Sequence, residues 1–212
     1  MKKNYWKNIW LKLRYSSIAR VIFDAIARLG IRIAPFYLFR EGLFNGAIPE
    51  LERCFEEYTL GFLGPGDMKF IADLPERKCP EEKLHARLQE GKKCFGIKYH
   101  GSLAAFTWCN FRTCTLTYGN ISVRNLQDDE AYLFDAYTVL AYRGKGIAPY
   151  IRYQLYKELA RVGRHRLHSI SDAFNKPAIK FKKKLNARFI ELQLLVSLFK
   201  RWRHVFLIKK YD

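Results

Sequence analysis

The sequence predicts an α+β fold, and three patterns support this prediction. Apolar residues alternate with other residues over 131–140, which is typical of a β-strand. Apolar residues recur at helical spacing over 149–162, which predicts a long helix. The turn at His100-Gly101 separates two further apolar runs and predicts a hairpin. Strand and helix patterns follow one another along the 212 residues without an internal repeat.

Two helical patterns open the chain. In the first, two tryptophans and two aliphatic residues recur over 6–13 among lysines and arginines, and the second covers 18–29 and stops at Gly30. An apolar face beside a basic face is typical of a helix that lies on anionic lipid. It is equally typical of a helix that packs on a domain and exposes its basic side. We treat residues 1–30 as a basic amphipathic helical extension and leave both interpretations open.

The remaining elements follow from apolar periodicity and from the positions of glycine and proline. The predicted strands are 31–39, 93–99, 103–115, 131–140, 168–173, 189–200 and 205–209. The predicted helices are 49–60, 80–89, 149–162 and 176–185. A turn at 201–203 joins the two terminal strands.

The net charge of +18 indicates an anionic ligand or partner. A phosphorylated cofactor, a nucleic acid and an anionic membrane all meet this requirement. The basic residues are spread over the N-terminus, the run 180–184 and the turn 201–203. A nucleic-acid-binding module is therefore the less favoured hypothesis, because its basic residues usually gather on one recognition element.

The five cysteines form no paired CxxC spacing, which argues against a disulfide framework and a zinc site. Cys94, Cys109 and Cys114 fall on predicted strands, where we expect small buried apolar side chains. His165 and His168 lack a third ligand nearby, so we expect no metal. The chain lacks a secretory signal pattern and a run of about 20 apolar residues, so we expect a cytoplasmic protein that does not span a membrane.

The most informative segment is a basic, glycine-containing loop between the strand 131–140 and the helix 149–162. It reads Arg143-Gly144-Lys145-Gly146-Ile147-Ala148. A strand, a tight loop and a helix start direct backbone N–H groups and the positive end of a helix dipole at one point. Glycine is required there because a Cβ would keep an anion away from the backbone. The loop predicts a phosphate or pyrophosphate site.

This loop resembles that of the GNAT superfamily of CoA-dependent N-acetyltransferases. The family's loop is Gln/Arg-x-x-Gly-x-Gly/Ala, and Arg143, Gly146 and Ala148 fill its fixed places. An Asn-x-x-Ala segment followed by an aromatic residue and a lysine is also typical of the family. Asn175, Ala178, Phe181 and Lys184 match that segment. The resemblance covers about residues 92–195 and extends to bacterial members with a basic N-terminal extension.

The resemblance implies a central mixed, mostly antiparallel sheet, flanked by helices and splayed at the strand before the loop, within a domain over 31–212. It implies acetyl-CoA, or a longer acyl-CoA, as co-substrate. Arg143 and the backbone of Gly144, Lys145, Gly146, Ile147 and Ala148 would bind the pyrophosphate. The strand edge at Ala136, Tyr137 and Thr138 would pair with pantetheine, and Asn175 would hydrogen-bond the pantetheine arm.

Attack of an amine on a thioester requires removal of a proton from the ammonium group. Asp135 is the first candidate for this base because it lies on the strand before the loop, and a structural or substrate-binding carboxylate is the alternative. Tyr137, Glu130 and His168 are weaker candidates. Lys182 stands where the family commonly has a tyrosine acting as general acid. Lys182 is therefore the candidate acid, with an ordinary solvated lysine as the alternative.

The leading hypothesis is an acyl-CoA-dependent N-acyltransferase that acts by direct attack on the thioester. Its acceptor would be a small-molecule or lipid-linked amine, met in the cytoplasm or at the inner membrane surface through residues 1–30. The alternatives are a nucleic-acid-binding module and a catalytically idle CoA-binding domain. The sequence does not determine the acceptor, the acyl chain length or the oligomeric state.

Overall fold

The computed structural model describes residues 18–43, 58–77, 79–116, 121–199 and 201–211. The chain divides into two compact units, one of residues 42–169 and one of residues 1–41 with 170–212. The predicted boundary between an extension over 1–30 and a domain over 31–212 stays a prediction. The helical pattern at 6–13 and most of the predicted helix 49–60 lie outside the described residues.

Five helices and ten strands make up the described residues. The helices are α1 (Ile18–Arg28), α2 (Met68–Ala72), α3 (Glu81–Gln89), α4 (Ile147–Arg161) and α5 (Lys176–Lys184). The first five strands are β1 (Ile31–Glu41), β2 (Tyr58–Leu63), β3 (Lys93–Tyr99), β4 (Ser102–Asn110) and β5 (Thr113–Leu116). The others are β6 (Ile121–Asn125), β7 (Glu130–Thr138), β8 (Arg166–Asp172), β9 (Arg188–Leu198) and β10 (Trp202–Lys210).

The unit of residues 42–169 is built on a mixed sheet. Strands β2, β3, β4 and β7 are neighbours in that order and run antiparallel, whereas β7 pairs in parallel with the start of β8. Helix α4 packs on β3, β4 and β7, and the shorter α2 and α3 pack on β4 and β3 respectively. The buried side chains of Phe106, Trp108, Tyr153 and Tyr156 dominate this core. The predicted mixed, mostly antiparallel sheet flanked by helices is confirmed.

Strand β7 changes its pairing halfway along. Its parallel ladder with β8 covers Glu130–Leu133 only, and residues 134–138 continue beyond the last pair, as expected for a sheet that splays at this strand. On its other edge, the register with β4 shifts between Phe106 and Trp108. Asp135 takes a left-handed conformation with a φ of 49° at this bulge. The bulge breaks the regular side-chain alternation just before the predicted pantetheine edge.

The unit of residues 1–41 and 170–212 contains α1, α5 and the antiparallel strands β1, β9 and β10. Strand β9 pairs with β1 on one edge and with β10 on the other. Helix α1 packs on β1, and the ring of Phe23 lies 5.7 Å from that of Phe174. Phe36, Leu38 and Leu195 are buried in this core. The helical pattern that ends near Gly30 is thereby confirmed.

Three sequence predictions are wrong at element boundaries. The predicted strand 103–115 is two strands, because the Asn110 side chain donates to the Thr113 carbonyl (3.0 Å) and accepts from the Arg112 N–H (3.1 Å), which stabilises a turn. Residues 58–60 were predicted to end a helix but begin β2, where they pair with β3. Trp202 was predicted in a turn but begins β10, because the chain reverses earlier at Phe199, which has a φ of 48°.

Candidate functional site

The loop between β7 and α4 has the geometry that its sequence predicts. A single 3-10 turn, Leu140–Tyr142, follows β7, so the strand ends two residues before its predicted end. Gly144 and Gly146 then take left-handed conformations with φ values of 85° and 74°. Gly146 is the N-cap of α4 and provides no side-chain cap. The N–H groups of Ile147 and Ala148 therefore have no partner within the helix, which is the arrangement that binds anions.

Arg143 connects this loop to the end of β7. Its Nε donates a hydrogen bond to the Thr138 carbonyl (3.0 Å), and its guanidinium lies 5.3 Å from the centre of the Tyr137 ring. Ile147 is buried and anchors the start of α4 in the core. The loop is thus held at both ends by side chains. The backbone at Gly144 faces open space, since nothing lies within 4 Å of the position that a Cβ there would take.

The strand segment predicted to pair with pantetheine is hydrogen-bonded to a neighbouring strand on one of its two edges. Tyr137 and Thr138 pair with Phe106 and Ala105 of β4 on one edge. On the other edge, Ala136 and its neighbours lie past the end of the β8 ladder. The Thr138 carbonyl also accepts one hydrogen bond, from Arg143 Nε.

Asp135 is held between two arginines. Its Oδ1 accepts from Arg77 Nη2 at 2.5 Å and its Oδ2 from Arg87 Nη1 at 2.6 Å. Each guanidinium also lies against aromatic rings. That of Arg77 is 5.4 Å from the Phe106 ring centre and 5.3 Å from that of Tyr137.

These contacts argue against Asp135 as the general base. Both carboxylate oxygens already accept charge-assisted hydrogen bonds from arginines, which is the arrangement of a structural ion pair. The backbone at Asp135 is left-handed, and its side chain points toward the arginines. Regular strand alternation does not predict this orientation. We interpret Asp135, Arg77 and Arg87 as the cluster that holds the bulge in β7.

Replacing Asp135 with asparagine is expected to lower the free energy of unfolding by about 2 to 3 kcal/mol, because two partly buried arginines lose their shared counter-charge. Denaturant unfolding measures this effect. Asp129→Asn is the matched control, since its ion pair with Arg166 is more exposed to water and should contribute less. If Asp135→Asn instead keeps full stability and loses turnover, Asp135 acts as the base.

Glu76 is a carboxylate near β7 that sequence reasoning missed. Its Oε2 accepts a hydrogen bond from the Tyr137 hydroxyl at 3.1 Å, and its side chain is exposed. Burial and this bond to Glu76 raise the pKa of Tyr137, so the phenol keeps its proton at neutral pH. Glu76 follows the loop after α2 and belongs to no motif, so only the fold reveals that it lies beside Tyr137.

The two other weak candidates, Glu130 and His168, belong to a buried polar network. The Glu130 carboxylate contacts His168 Nε2 at 3.1 Å and Arg124 Nη2 at 2.7 Å, and it accepts from the Gln127 N–H at 3.0 Å. Burial acts to raise the pKa of Glu130, but these partners outweigh burial and hold the pKa below its usual value. Both side chains are almost fully buried, which favours a structural role over proton exchange with a substrate.

Two predicted site residues lie in the other unit. Asn175 is the N-cap of α5, and its Oδ1 accepts from the Ala178 N–H at 3.2 Å, so its amide nitrogen is the part that can donate to a ligand. Lys182 forms a buried ion pair with Glu41, and the two side chains are 5% and 0% exposed. A lysine held in this way is neither solvated nor accessible as a proton donor. Both sequence interpretations of Lys182 are therefore replaced by a structural one.

The cysteines and histidines that the structure describes form no further site. Cys94, Cys109 and Cys114 are buried, as the sequence predicts, and burial raises the pKa of Cys109 and Cys114 to about 12. Within the described part of the chain, no group of three His, Cys, Asp or Glu side chains is arranged to hold a metal ion. No helix among those residues has the length and apolar character needed to cross a bilayer.

Comparison with known proteins adds independent information. The model of the acetyltransferase (GNAT) family matches residues 51–187, which include β2 to α5 and the whole loop. Among curated protein sequences, no significant match to the chain was found.

Several solved structures share the fold. A Drosophila protein has a TM-score of 0.57 at 17% identity, over 85% of this chain and 56% of its own. An acetyltransferase assigned to the GNAT family from Novosphingobium aromaticivorans has a TM-score of 0.53 at 18% identity, over 86% and 69%. A further N-acetyltransferase, from Sphaerobacter thermophilus, has a TM-score of 0.55 at 13% identity, over 93% and 59%. This chain thus spans just over half the length of two of these proteins.

Proposed function

Because the chain belongs to the GNAT family of acetyltransferases, we propose that it transfers an acyl group, most simply acetyl, from acyl-CoA to an amine. The observation that carries this proposal is the loop before α4. Its two left-handed glycines and uncapped helix start present backbone donors to a diphosphate, the group that joins the two halves of CoA.

The donor site is proposed to use two parts of the unit of residues 42–169. The loop from Arg143 to Ala148 binds the pyrophosphate, and Lys145 adds positive charge beside it. The edge of β7 over residues 136–138 pairs with the pantetheine amides. The contact of Asn175 with the pantetheine arm stays a prediction from the family resemblance.

The acceptor amine must lose a proton before it attacks the thioester carbonyl. With Asp135 and Lys182 both held in ion pairs, Glu76 is our proposed proton acceptor. It is exposed and lies within hydrogen-bond reach of Tyr137, next to the strand edge where the thioester end of pantetheine would pair. Tyr137, which keeps its proton, hydrogen-bonds the Glu76 carboxylate and is our proposed donor for the departing thiolate.

Thiol release from acetyl-CoA and longer acyl-CoAs tests the proposed activity. The acceptors should include simple amines, polyamines, amino sugars and aminolipids, because the acceptor pocket cannot be derived from a motif. We expect amine-dependent thiol release with at least one acceptor class. Binding of CoA without turnover across the whole panel would instead indicate the catalytically idle CoA-binding domain.

Replacing Glu76 with glutamine is expected to lower turnover by about 100-fold or more, since loss of a general base commonly has an effect of that size. The affinity for CoA should stay unchanged, because Glu76 does not belong to the loop. Turnover at saturating acetyl-CoA and the dissociation constant of CoA together measure this. Glu158→Gln, at an exposed ion pair with Arg161, is the matched control. Unchanged turnover would remove Glu76 from the mechanism.

The setting of the reaction is also a proposal. The charge of +18 favours an anionic environment, and we propose that the enzyme works in the cytoplasm or at the inner membrane surface on a small-molecule or lipid-linked amine. The basic amphipathic pattern over 1–30 supports contact with anionic lipid. Deleting residues before Ser16 should then weaken binding to anionic vesicles.

A further inference from the structure

Two turns meet at one end of the unit of residues 1–41 and 170–212. Helix α1 ends in the turn Leu29-Gly30, and the β9–β10 hairpin turns at Phe199. The Phe199 N–H donates to the Gly30 carbonyl at 2.7 Å. The Phe199 ring also covers Gly30 so closely that a Cβ at Gly30 would lie 2.5 Å from Cδ1 of the ring. The two turns therefore form one continuous surface.

This surface presents large apolar side chains to solvent. Leu29 is 74% exposed, Phe199 67%, Trp202 47% and Leu198 36%. The four are adjacent, since Trp202 pairs with Leu198 across the hairpin and Leu198 pairs with Ile31 next to the first turn. We call these four residues the apolar tip. Single exposed apolar residues are ordinary, but a group of this kind indicates a contact surface.

Arginines surround the apolar tip. Arg28, Arg32, Arg201 and Arg203 are exposed next to it in the chain. The segments 28–33 and 196–203, which form both turns and their flanks, contain no aspartate or glutamate. The tip therefore combines apolar projections with a one-sided positive charge, and its partner must offer both hydrocarbon and negative charge.

We propose that the apolar tip inserts into the interface of an anionic phospholipid bilayer. Leucine and phenylalanine gain free energy by leaving water for acyl chains, tryptophan favours the headgroup level, and the arginines bind lipid phosphates. A nucleic acid fits less well, because two of the four side chains are leucines, which offer no plane for base stacking. A second copy of the chain also fits less well, because four arginines would face four arginines.

This contact differs from the one predicted for residues 1–30 and does not depend on the catalytic assignment. It uses the β9–β10 hairpin and the end of α1 rather than the basic helical pattern before Ser16. Vesicle binding by the full chain measures it without any assay of activity.

Partition onto vesicles of phosphatidylcholine with phosphatidylglycerol tests the apolar part of the tip. Leu29→Gln and Phe199→Asn should each weaken partition by about tenfold, because each removes one large apolar side chain from the contact with the bilayer. Asparagine tolerates the left-handed backbone at Phe199. Val162→Gln, at a valine that is 67% exposed in the other unit, is the control and should change nothing. Equal partition of all three variants overturns the proposal.

A second pair of variants tests the contribution of the arginines beside the apolar tip. Arg28→Gln with Arg201→Gln should weaken partition by roughly tenfold on anionic vesicles, and little on pure phosphatidylcholine. Lys209→Gln with Lys210→Gln removes the same charge from the far end of β10 and should cost much less. Equal losses from the two pairs would mean that net charge alone drives binding, which contradicts a local site.

Quenching of tryptophan by brominated lipid locates the inserted segment. Trp108 is fully buried, so quenching in the full chain must come from Trp202 or from Trp6 and Trp10. We expect Trp202→Phe to remove most of the quenching while partition persists. Unchanged quenching would assign the contact to residues 1–30 and overturn the proposal. The proposal would also be overturned if variants of the apolar tip lost binding to a short RNA but kept binding to vesicles.

Discussion

Replacing Gly146 with alanine is expected to weaken CoA binding by at least about tenfold and to abolish its thermal stabilisation of the protein. A Cβ at this position stands where the diphosphate must approach the backbone, and each hydrogen bond from an N–H to a charged phosphate contributes about 1.5 to 3 kcal/mol. Loss of a single such bond already corresponds to about a tenfold change in affinity. Isothermal calorimetry with CoA and thermal melting with and without CoA measure the effect.

Gly163→Ala is the matched control for Gly146→Ala. Gly163 has a φ of 79°, close to the 74° of Gly146, and it lies just past the other end of α4. Both variants therefore carry the same backbone strain, while only one of them obstructs the loop. We expect both to melt earlier than the unmodified protein, and only Gly163→Ala to regain stability with CoA. Full CoA binding by Gly146→Ala would refute the assignment of the loop, and with it the proposed donor site.

Replacing Lys182 with methionine is expected to lower the free energy of unfolding by about 3 to 5 kcal/mol, the usual effect of breaking a buried ion pair. The loss arises because Glu41, which is fully buried, loses its ion pair with Lys182. Methionine matches the length of the lysine stem, so packing is largely preserved. Denaturant unfolding followed by circular dichroism measures the change.

The double variant Glu41→Gln with Lys182→Met separates the ion pair from the lysine itself. Replacing the carboxylate as well should restore much of the lost stability, because most of the penalty of breaking a buried ion pair comes from the charge that stays buried rather than from the missing attraction. If Lys182 instead donates a proton to the thiolate, the double variant would fold well and still lose turnover. Stability that is unchanged in Lys182→Met would show that the buried pair does not form.

The loop could be predicted from sequence because all of its requirements are local. Glycine at 144 and 146 permits left-handed backbone, and the apolar patterns on both sides define a strand and a helix, so the geometry follows from consecutive residues. The burial of Cys94 followed equally well from strand alternation. Boundaries were less predictable, because side-chain hydrogen bonds such as those of Asn110 interrupt a strand that the apolar pattern alone would continue.

The partners of charged side chains could not be predicted, because they come from distant parts of the chain. Asp135 pairs with Arg77 and Arg87, which are 58 and 48 residues away in the sequence. Lys182 pairs with Glu41, which is 141 residues away. The local sequence around Asp135 does not show whether its carboxylate is paired with arginines or is available to a substrate. The sequence by itself determined the fold class and the geometry of the loop before α4, because both follow from local backbone preferences. Only the tertiary structure decided which charged side chains are held in ion pairs, because that depends on which charges the fold brings together.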